Sequence, residues 1–312
     1  MPFLRAFGAY LPSRAVSNTE IAALTGVEPE WIRMASGIEE RRFAAEEETV
    51  ADLGRHAAAE CLERAAVPPA SVGMVLMASG TAARRFPGPA VSVAQRLGIS
   101  GAPAIDLPIP SAGSLFGLAL AAHVVPVYRN VLVIGADIMS RVAPRERNNP
   151  GTAVLFGDGA GACLVSASAG VAEIRDSLIY SDGAFSEDLR LEFECPLEMN
   201  GRAVILQASR KLPRTISDLL GRNQLAAANV DAFLLHQANQ NLLDQVARAL
   251  GVPSLRFFSN LRMYGNTSAA SLLIAAAEWS QSQGFRQGVP VVFAAFGAGF
   301  NWGALLVVGC GQ

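Results

Sequence analysis

One pattern occurs twice in this 312-residue chain, and it limits the folds open to it. In the first half an apolar strand, AIDLPIP (104–110), leads to a helix of small residues, SAGSLFGLALAAHVV (111–125). A strand, NVLVIGAD (130–137), and a glycine turn with a further strand, FGDGAGACLVSAS (156–168), follow. In the second half RFFSNLRMY (256–264) leads into GNTSAASLLIAAAEWS (265–280), then VPVVFAAFG (289–297) and AGFNWGALLVVG (298–309). Setting Ser111 over Asn266 matches SAGSLFGLALAA with NTSAASLLIAAA in residue type and period. Sustained self-similarity of this kind marks a duplicated unit, with halves at 1–168 and 169–312. Helices alternating with near-continuous apolar strands predict an α/β fold with a largely buried sheet.

Composition agrees with a large buried core. Hydrophobic residues make up 51% of the chain and charged residues 17%, which excludes a disordered protein. The 25 Lys and Arg are balanced by 27 Asp and Glu with no dense basic run, so a nucleic-acid binder is excluded as well. Cys61, Cys163, Cys195 and Cys310 lie far apart with no CxxC pairing or histidine neighbour. They predict packing residues rather than a metal site or a disulfide framework, and a reducing, cytoplasmic compartment. The opening MPFLRAFGAYLPSRAV lacks the apolar stretch of a signal peptide. The run 290–309 is apolar enough for a membrane span, but Asn301 and the glycines at 297, 299 and 303 predict two buried strands joined by a glycine turn.

Duplication brings the N-termini of two equivalent helices to one pseudo-twofold axis, with Ser111 starting one and Asn266 the other. Unpaired N–H groups and the positive dipole end of each favour developing negative charge, and the small residues admit a ligand close to the backbone. An oxyanion pocket is the expected product.

Seven collinear segments then point to a family: GVEPEWIRMASGIEERRFAAEEET (26–49), FPGPAVSVAQRLGI (86–99), GTAVLFGDGAGA (151–162), MNGRAV (199–204), HQAN (236–239), YGNTSAAS (264–271) and FGAGFNWGALLV (296–307). Together they resemble β-ketoacyl-ACP synthase III, of the thiolase superfamily. The resemblance implies a five-layered thiolase-like αβαβα fold from two duplicated halves, a homodimer, and no metal or cofactor beyond the thioester substrate. It also implies a Cys-His-Asn triad that takes an acyl group from acyl-CoA and condenses it with malonyl-ACP in fatty-acid or polyketide biosynthesis.

By that resemblance His236 and Asn266 are the triad's histidine and asparagine, two donors for the enolate left when malonyl loses carbon dioxide. The nucleophile departs from the family, because Ser111 occupies the cysteine position and none of the four cysteines can replace it. A serine hydroxyl, unlike a thiol, needs a base within hydrogen-bond reach, and His236 is the candidate. Three readings of Ser111 stand open: a working nucleophile of acyl transfer with or without condensation, a mark of a decarboxylase or silent partner subunit, or a cysteine-to-serine form made to trap a ligand.

The same resemblance implies oxyanion donors at the backbone of Ser111 and Ala298. Trp31 is expected to stack on adenine, Asn239 and Gly201 to line the pantetheine arm, and Phe156 to belong to the substrate-binding set. Phe296 would gate the triad, and Phe86 would cross the dimer to close the partner's acyl pocket. Two phosphate-directed arginines of the family are Ala35 and Pro150 here, with Arg33 as a possible substitute. Each missing charged contact is worth ~1.5–3 kcal/mol, so free CoA is expected to bind weakly. Asn241 and Leu206 stand at two basic positions of the carrier-protein surface.

Overall fold

The computed structural model describes residues 1–143 and 150–311. Ten strands form the main sheet: β1 (Phe3–Tyr10), β2 (Met74–Ala78), β3 (Ala104–Leu107), β4 (Asn130–Ile138), β5 (Asp158–Ser166), β6 (Ala172–Ser181), β7 (Ala232–Leu235), β8 (Phe257–Phe258), β9 (Pro290–Gly297) and β10 (Asn301–Gly309). Their spatial order is β8-β7-β9-β10-β6-β1-β5-β4-β2-β3. Adding five to each label of the order β3-β2-β4-β5-β1 produces the other side of the sheet. Strand directions repeat too: β2 lies parallel to β3 and β4, and β7 parallel to β8 and β9, while β5 and β10 run antiparallel to their neighbours. The two sides meet through only two residue pairs, Phe3 with Glu173 and Leu4 with Ala172.

Six helices occupy equivalent crossings: α1 (Val50–Ala65), α2 (Pro89–Leu97) and α3 (Gly113–Tyr128) in the first half, and α4 (Gly201–Arg222), α5 (Gln240–Leu250) and α6 (Ser271–Ser282) in the second. Outer helices α1 and α2 cover one half-sheet through Leu53, Ala57, Cys61 and Val93. Helices α4 and α5 cover the other through Leu212, Ile216, Leu243 and Val246. Between the half-sheets lie α3 and α6, whose Leu115, Leu118, Leu272, Leu273 and Trp279 share one core with Val133, Val165, Phe293 and Leu305. Five layers result, αβαβα. The apolar run 290–309 is β9 and β10, and among the described residues no helix is long and apolar enough to cross a membrane.

Small residues in the central layer are a steric requirement. A Cβ on Gly135 of β4 would stand 2.1 Å from Ser114 Oγ and 2.2 Å from the Ala269 carbonyl oxygen, and one on Gly161 of β5 would stand 2.6 Å from Leu273 Cβ. These glycines let both central helices sit close on the sheet.

Several predicted boundaries move. Strand β3 stops at Leu107 because Pro108 and Pro110 cannot donate to a ladder. The predicted strand 256–264 is only Phe257–Phe258, followed by a short helix, Leu261–Tyr264. The central helices start later than Ser111 and Asn266. Helix α3 begins at Gly113, and α6 begins at Ser271 after one 3₁₀ turn, Ser268–Ala270. The structural counterpart of Ser111 is Ser268, not Asn266. Both have left-handed φ, +61° and +51°, and the Ser111 N–H donates to Ser268 Oγ at 3.2 Å. The true repeat is SAGS (111–114) over SAAS (268–271), two residues along from the alignment on Asn266. Cys61 and Cys163 pack in the interior, whereas Cys195 and Cys310 are exposed rather than packed.

Gly135→Ala is expected to destabilise the fold by about 3 kcal/mol in urea unfolding, since backbone and a buried hydroxyl block the methyl. Gly221→Ala, in α4 with nothing within 4 Å of the added carbon, is expected to gain ~0.5–1 kcal/mol in the same assay.

Candidate active site

A cavity of about 320 Å³ opens beside the two serine turns, and Ser111, His236 and Asn266 all line it. Each is buried, and each comes from a different piece of the fold. Ser111 precedes α3 in the left-handed conformation, which for a serine costs about 1 kcal/mol and is held by its neighbours. His236 follows β7, where its N–H bonds to the Ala294 carbonyl of β9 at 2.9 Å. Asn266 is clamped by backbone on both sides, donating to the Leu155 carbonyl at 2.9 Å and accepting from the Gly157 N–H at 3.1 Å.

Asp137, at the end of β4, ties these pieces together. One carboxylate oxygen accepts from Ser79 Oγ, the Gly80 N–H and Thr81 Oγ1 at 2.8–3.0 Å, and the other accepts from the Ala269 N–H at 2.9 Å. The Ser268 hydroxyl donates to it as well, and burial pushes the carboxyl above its ordinary range. A first-half charge therefore fixes the second-half turn that carries Ser268. Ser114 Oγ, which donates to the Ala269 carbonyl, closes the same joint.

The imidazole is held on one edge. His236 Nδ1 lies 2.5 Å from Ser271 Oγ, the first residue of α6, while Nε2 has no hydrogen-bond partner among the described residues and the ring lines the cavity. Burial pushes the ring's pKa down to about 4, so it is neutral at physiological pH. On Asn266, Oδ1 accepts from the Ser268 N–H at 2.9 Å, capping the 3₁₀ turn and leaving Nδ2 for the cavity. Asn266 thus caps that turn rather than helix α6, which begins five residues on. Among the described residues the Ser111 hydroxyl makes no hydrogen bond to His236, whose one hydrogen-bonded ring nitrogen is Nδ1, on Ser271.

Around these groups Trp31, Phe156, Gly201, Asn239, Phe296 and Ala298 line the cavity. Trp31 is 46% exposed, which excludes a core role. Phe156 forms a parallel β-bridge with Asn266. Phe296 packs against Phe300 with ring centroids 4.8 Å apart. Phe86 is the exception among the substrate-binding set, 85% exposed and outside the cavity within one chain, on a proline- and glycine-rich loop.

Two expected contacts are already spent. The Ser111 N–H is given to Ser268 Oγ, which leaves the Ala298 N–H as the backbone donor without a protein acceptor. Asn239 donates to the Ala35 carbonyl at 2.9 Å and accepts from the Asn241 N–H at 2.8 Å, so its amide caps α5. Arg33 pairs with Glu30 through two hydrogen bonds at 2.6 and 2.9 Å, an exposed ion pair that a phosphate would have to displace. Arg190, the one cation among the described lining residues, is surrounded by Glu187, Glu192 and Glu198 at 2.8–3.7 Å. Among the described residues no cluster suited to a metal ion occurs.

Ser268, Ser271 and Asp137 were not singled out from the sequence. The serines would have been found by aligning the repeat on SAGS and SAAS, whereas Asp137 carries no local signal within an apolar strand.

Comparison with known proteins follows the same lines. Residues 105–183 match the family model for 3-oxoacyl-[acyl-carrier-protein (ACP)] synthase III, and residues 220–308 match the model for its C-terminal part. A β-ketoacyl-[acyl-carrier-protein] synthase III of Oleidesulfovibrio alaskensis is 35% identical over 325 residues, spanning 98% of each chain. The crystal structure of 3-oxoacyl-[acyl-carrier-protein] synthase III from Aquifex aeolicus superposes with a TM-score of 0.94 at 32% identity, covering 99% of this chain and 100% of that one. The priming β-ketosynthase of a polyketide biosynthetic pathway gives 0.92 at 29% identity, covering 100% and 97%.

Protonation of His236 offers a direct check. Its NMR signals are expected to stay unmoved from pH 8 to about 5.5, because the neutral ring persists down to about 4. The unfolded chain binds this proton near 6.5, so the ring's contribution to stability is intact above about 6.5 and is lost as pH falls toward 4. A titration midpoint above 6 contradicts the burial argument.

Proposed function

This chain belongs to the 3-oxoacyl-[acyl-carrier-protein] synthase III family, and from that membership we propose that it is a condensing acyltransferase of fatty-acid or polyketide-type biosynthesis. The observation that carries the reading is the convergence of Ser111, His236 and Asn266 on one cavity. In the first half-reaction Ser111 Oγ attacks an acyl thioester. The carbon–sulfur bond breaks, an oxygen ester forms on Ser111, and the thiol departs with the hydroxyl proton. In the second, a malonyl thioester loses carbon dioxide. The electron pair of the broken bond passes to an enolate whose oxygen is held by His236 Nε2–H and Asn266 Nδ2–H. The resulting carbanion attacks the ester carbonyl with its oxyanion at the Ala298 N–H, and the bond to Ser111 Oγ then breaks as the departing alkoxide takes one proton from solvent water.

Serine shifts the balance between these halves. Passing an acyl group from a thioester to an oxygen ester runs downhill, while the ester is the poorer electrophile for carbon–carbon bond formation. Acyl donors are read as acyl-CoA or acyl carrier protein. The engaged Arg33 and Arg190 and the alanine at 35 favour recognition through pantetheine and the acyl chain over recognition of nucleotide phosphates. We read the active form as a cytoplasmic homodimer, in which the exposed Phe86 closes the partner's acyl pocket.

Intact-protein mass spectrometry after incubation with a panel of acyl-CoAs is expected to find an acyl adduct that Ser111→Ala abolishes. Absence of an adduct from every donor, together with co-purification of a cysteine-bearing homologue, would assign the chain to a partner-subunit role. Release of carbon dioxide from a malonyl thioester is expected to fall ~10²–10³-fold in His236→Ala and in Asn266→Ala, the loss typical of one oxyanion donor.

A further inference from the structure

We propose that Ser271 is a positioning residue that sets the tautomer of His236, holding the ring as a hydrogen-bond donor from Nε2 so that it serves decarboxylation and does not act as the base for Ser111. This rests on the condensing reading above for its place in the reaction, but the geometry behind it is independent of that reading.

A serine hydroxyl has one proton to give and two lone pairs to receive with. Ser271 Oγ accepts from the Gln237 N–H at 3.1 Å and lies 2.5 Å from His236 Nδ1, and among the described residues no other acceptor for its proton occurs. Ser271 is buried, so water does not supply one. Its proton therefore goes to Nδ1. A neutral imidazole that accepts at Nδ1 carries its own proton on Nε2. The opposite tautomer would put two donors against the same hydroxyl and leave a buried O–H with nowhere to point.

The rest of the local structure keeps this orientation. The Gln237 side chain donates to the carbonyls of Leu235 at 2.8 Å and Phe258 at 3.2 Å and accepts from the Asn260 N–H at 3.3 Å. Residue 237 is thereby locked, and with it the N–H that occupies one lone pair of Ser271. No charged side chain contributes to the shift of the ring's protonation, which comes from burial alone.

The consequence for chemistry is a division between the half-reactions. Decarboxylation requires two donors and no proton acceptor, and His236 Nε2–H with Asn266 Nδ2–H supplies both. Acylation of Ser111 requires a proton acceptor, and the departing sulfur, which leaves as a thiol, is the one the balance provides.

The test uses full-length protein labelled with ¹⁵N-histidine. The chain has three histidines, so the spectrum is assigned with His56→Gln and His123→Gln, both outside the cavity. His236 is expected to show the Nε2–H tautomer. In Ser271→Ala this preference should be lost and carbon dioxide release from a malonyl thioester should fall roughly tenfold or more with KM unchanged, while Ser271→Thr retains both. An Nδ1–H tautomer in the parent protein, or a Ser271→Ala protein with tautomer and decarboxylation unaltered, overturns the proposal. The expected tautomer shifting in Ser271→Ala while no malonyl thioester is decarboxylated upholds the role of Ser271 and instead overturns the condensing function.

Discussion

Close approach of two helix-entry turns across a pseudo-twofold axis is the constraint on which the rest of this structure depends. Ser111 and Ser268 touch through an N–H and a hydroxyl, and Ser114 reaches the Ala269 carbonyl. Gly135 lies beneath both, where no side chain fits. Helices α3 and α6 can meet only because their entry turns are built from serine, alanine and glycine, and the half-sheets can close around them only because the strands beneath are equally bare. The cavity opens beside this joint. Its walls come from both halves, so neither half alone contains a site.

Buried charge makes the joint specific. Asp137 faces four or more donors from two distant segments, and a carboxylate so enclosed is tolerated because every lone pair is used. An apolar residue there would pack, but it would not fix where the Ser268 turn sits, and Asn266 is set by that turn. Precision at the site is inherited from a residue that never meets substrate.

Much of the architecture was legible in the sequence because buried strands and small-residue helices leave long apolar runs punctuated by glycine. The run at 290–309 divides into β9 and β10 as its asparagine and glycines require. What the sequence concealed lies in the turns. Left-handed serines at 111 and 268 and a 3₁₀ turn before α6 are conformations that neither propensity nor period announces, so both helix starts were read early. The stretch 256–264 alternates like a strand, yet its second part closes into a helical turn through Gly265. His236 and Asn266 were recognisable from HQAN and YGNTSAAS, but the partner that decides what His236 can do stands 35 residues away and looks like any small helix residue. The expected serine–histidine hydrogen bond does not occur among the described residues, where a different serine, Ser271, meets the ring at Nδ1.

The repeat of SAGS as SAAS has a consequence for how such a chain changes over time. The twin turns differ in their anchoring: the Ser268 hydroxyl accepts from the Ser111 N–H and donates to Asp137, whereas the Ser111 hydroxyl has no such anchor among the described residues. Removing the Ser268 hydroxyl would take two hydrogen bonds from the joint between the halves, whereas removing the Ser111 hydroxyl would take none of those described. Position 111 is thus the one of the pair whose side chain the scaffold does not call on.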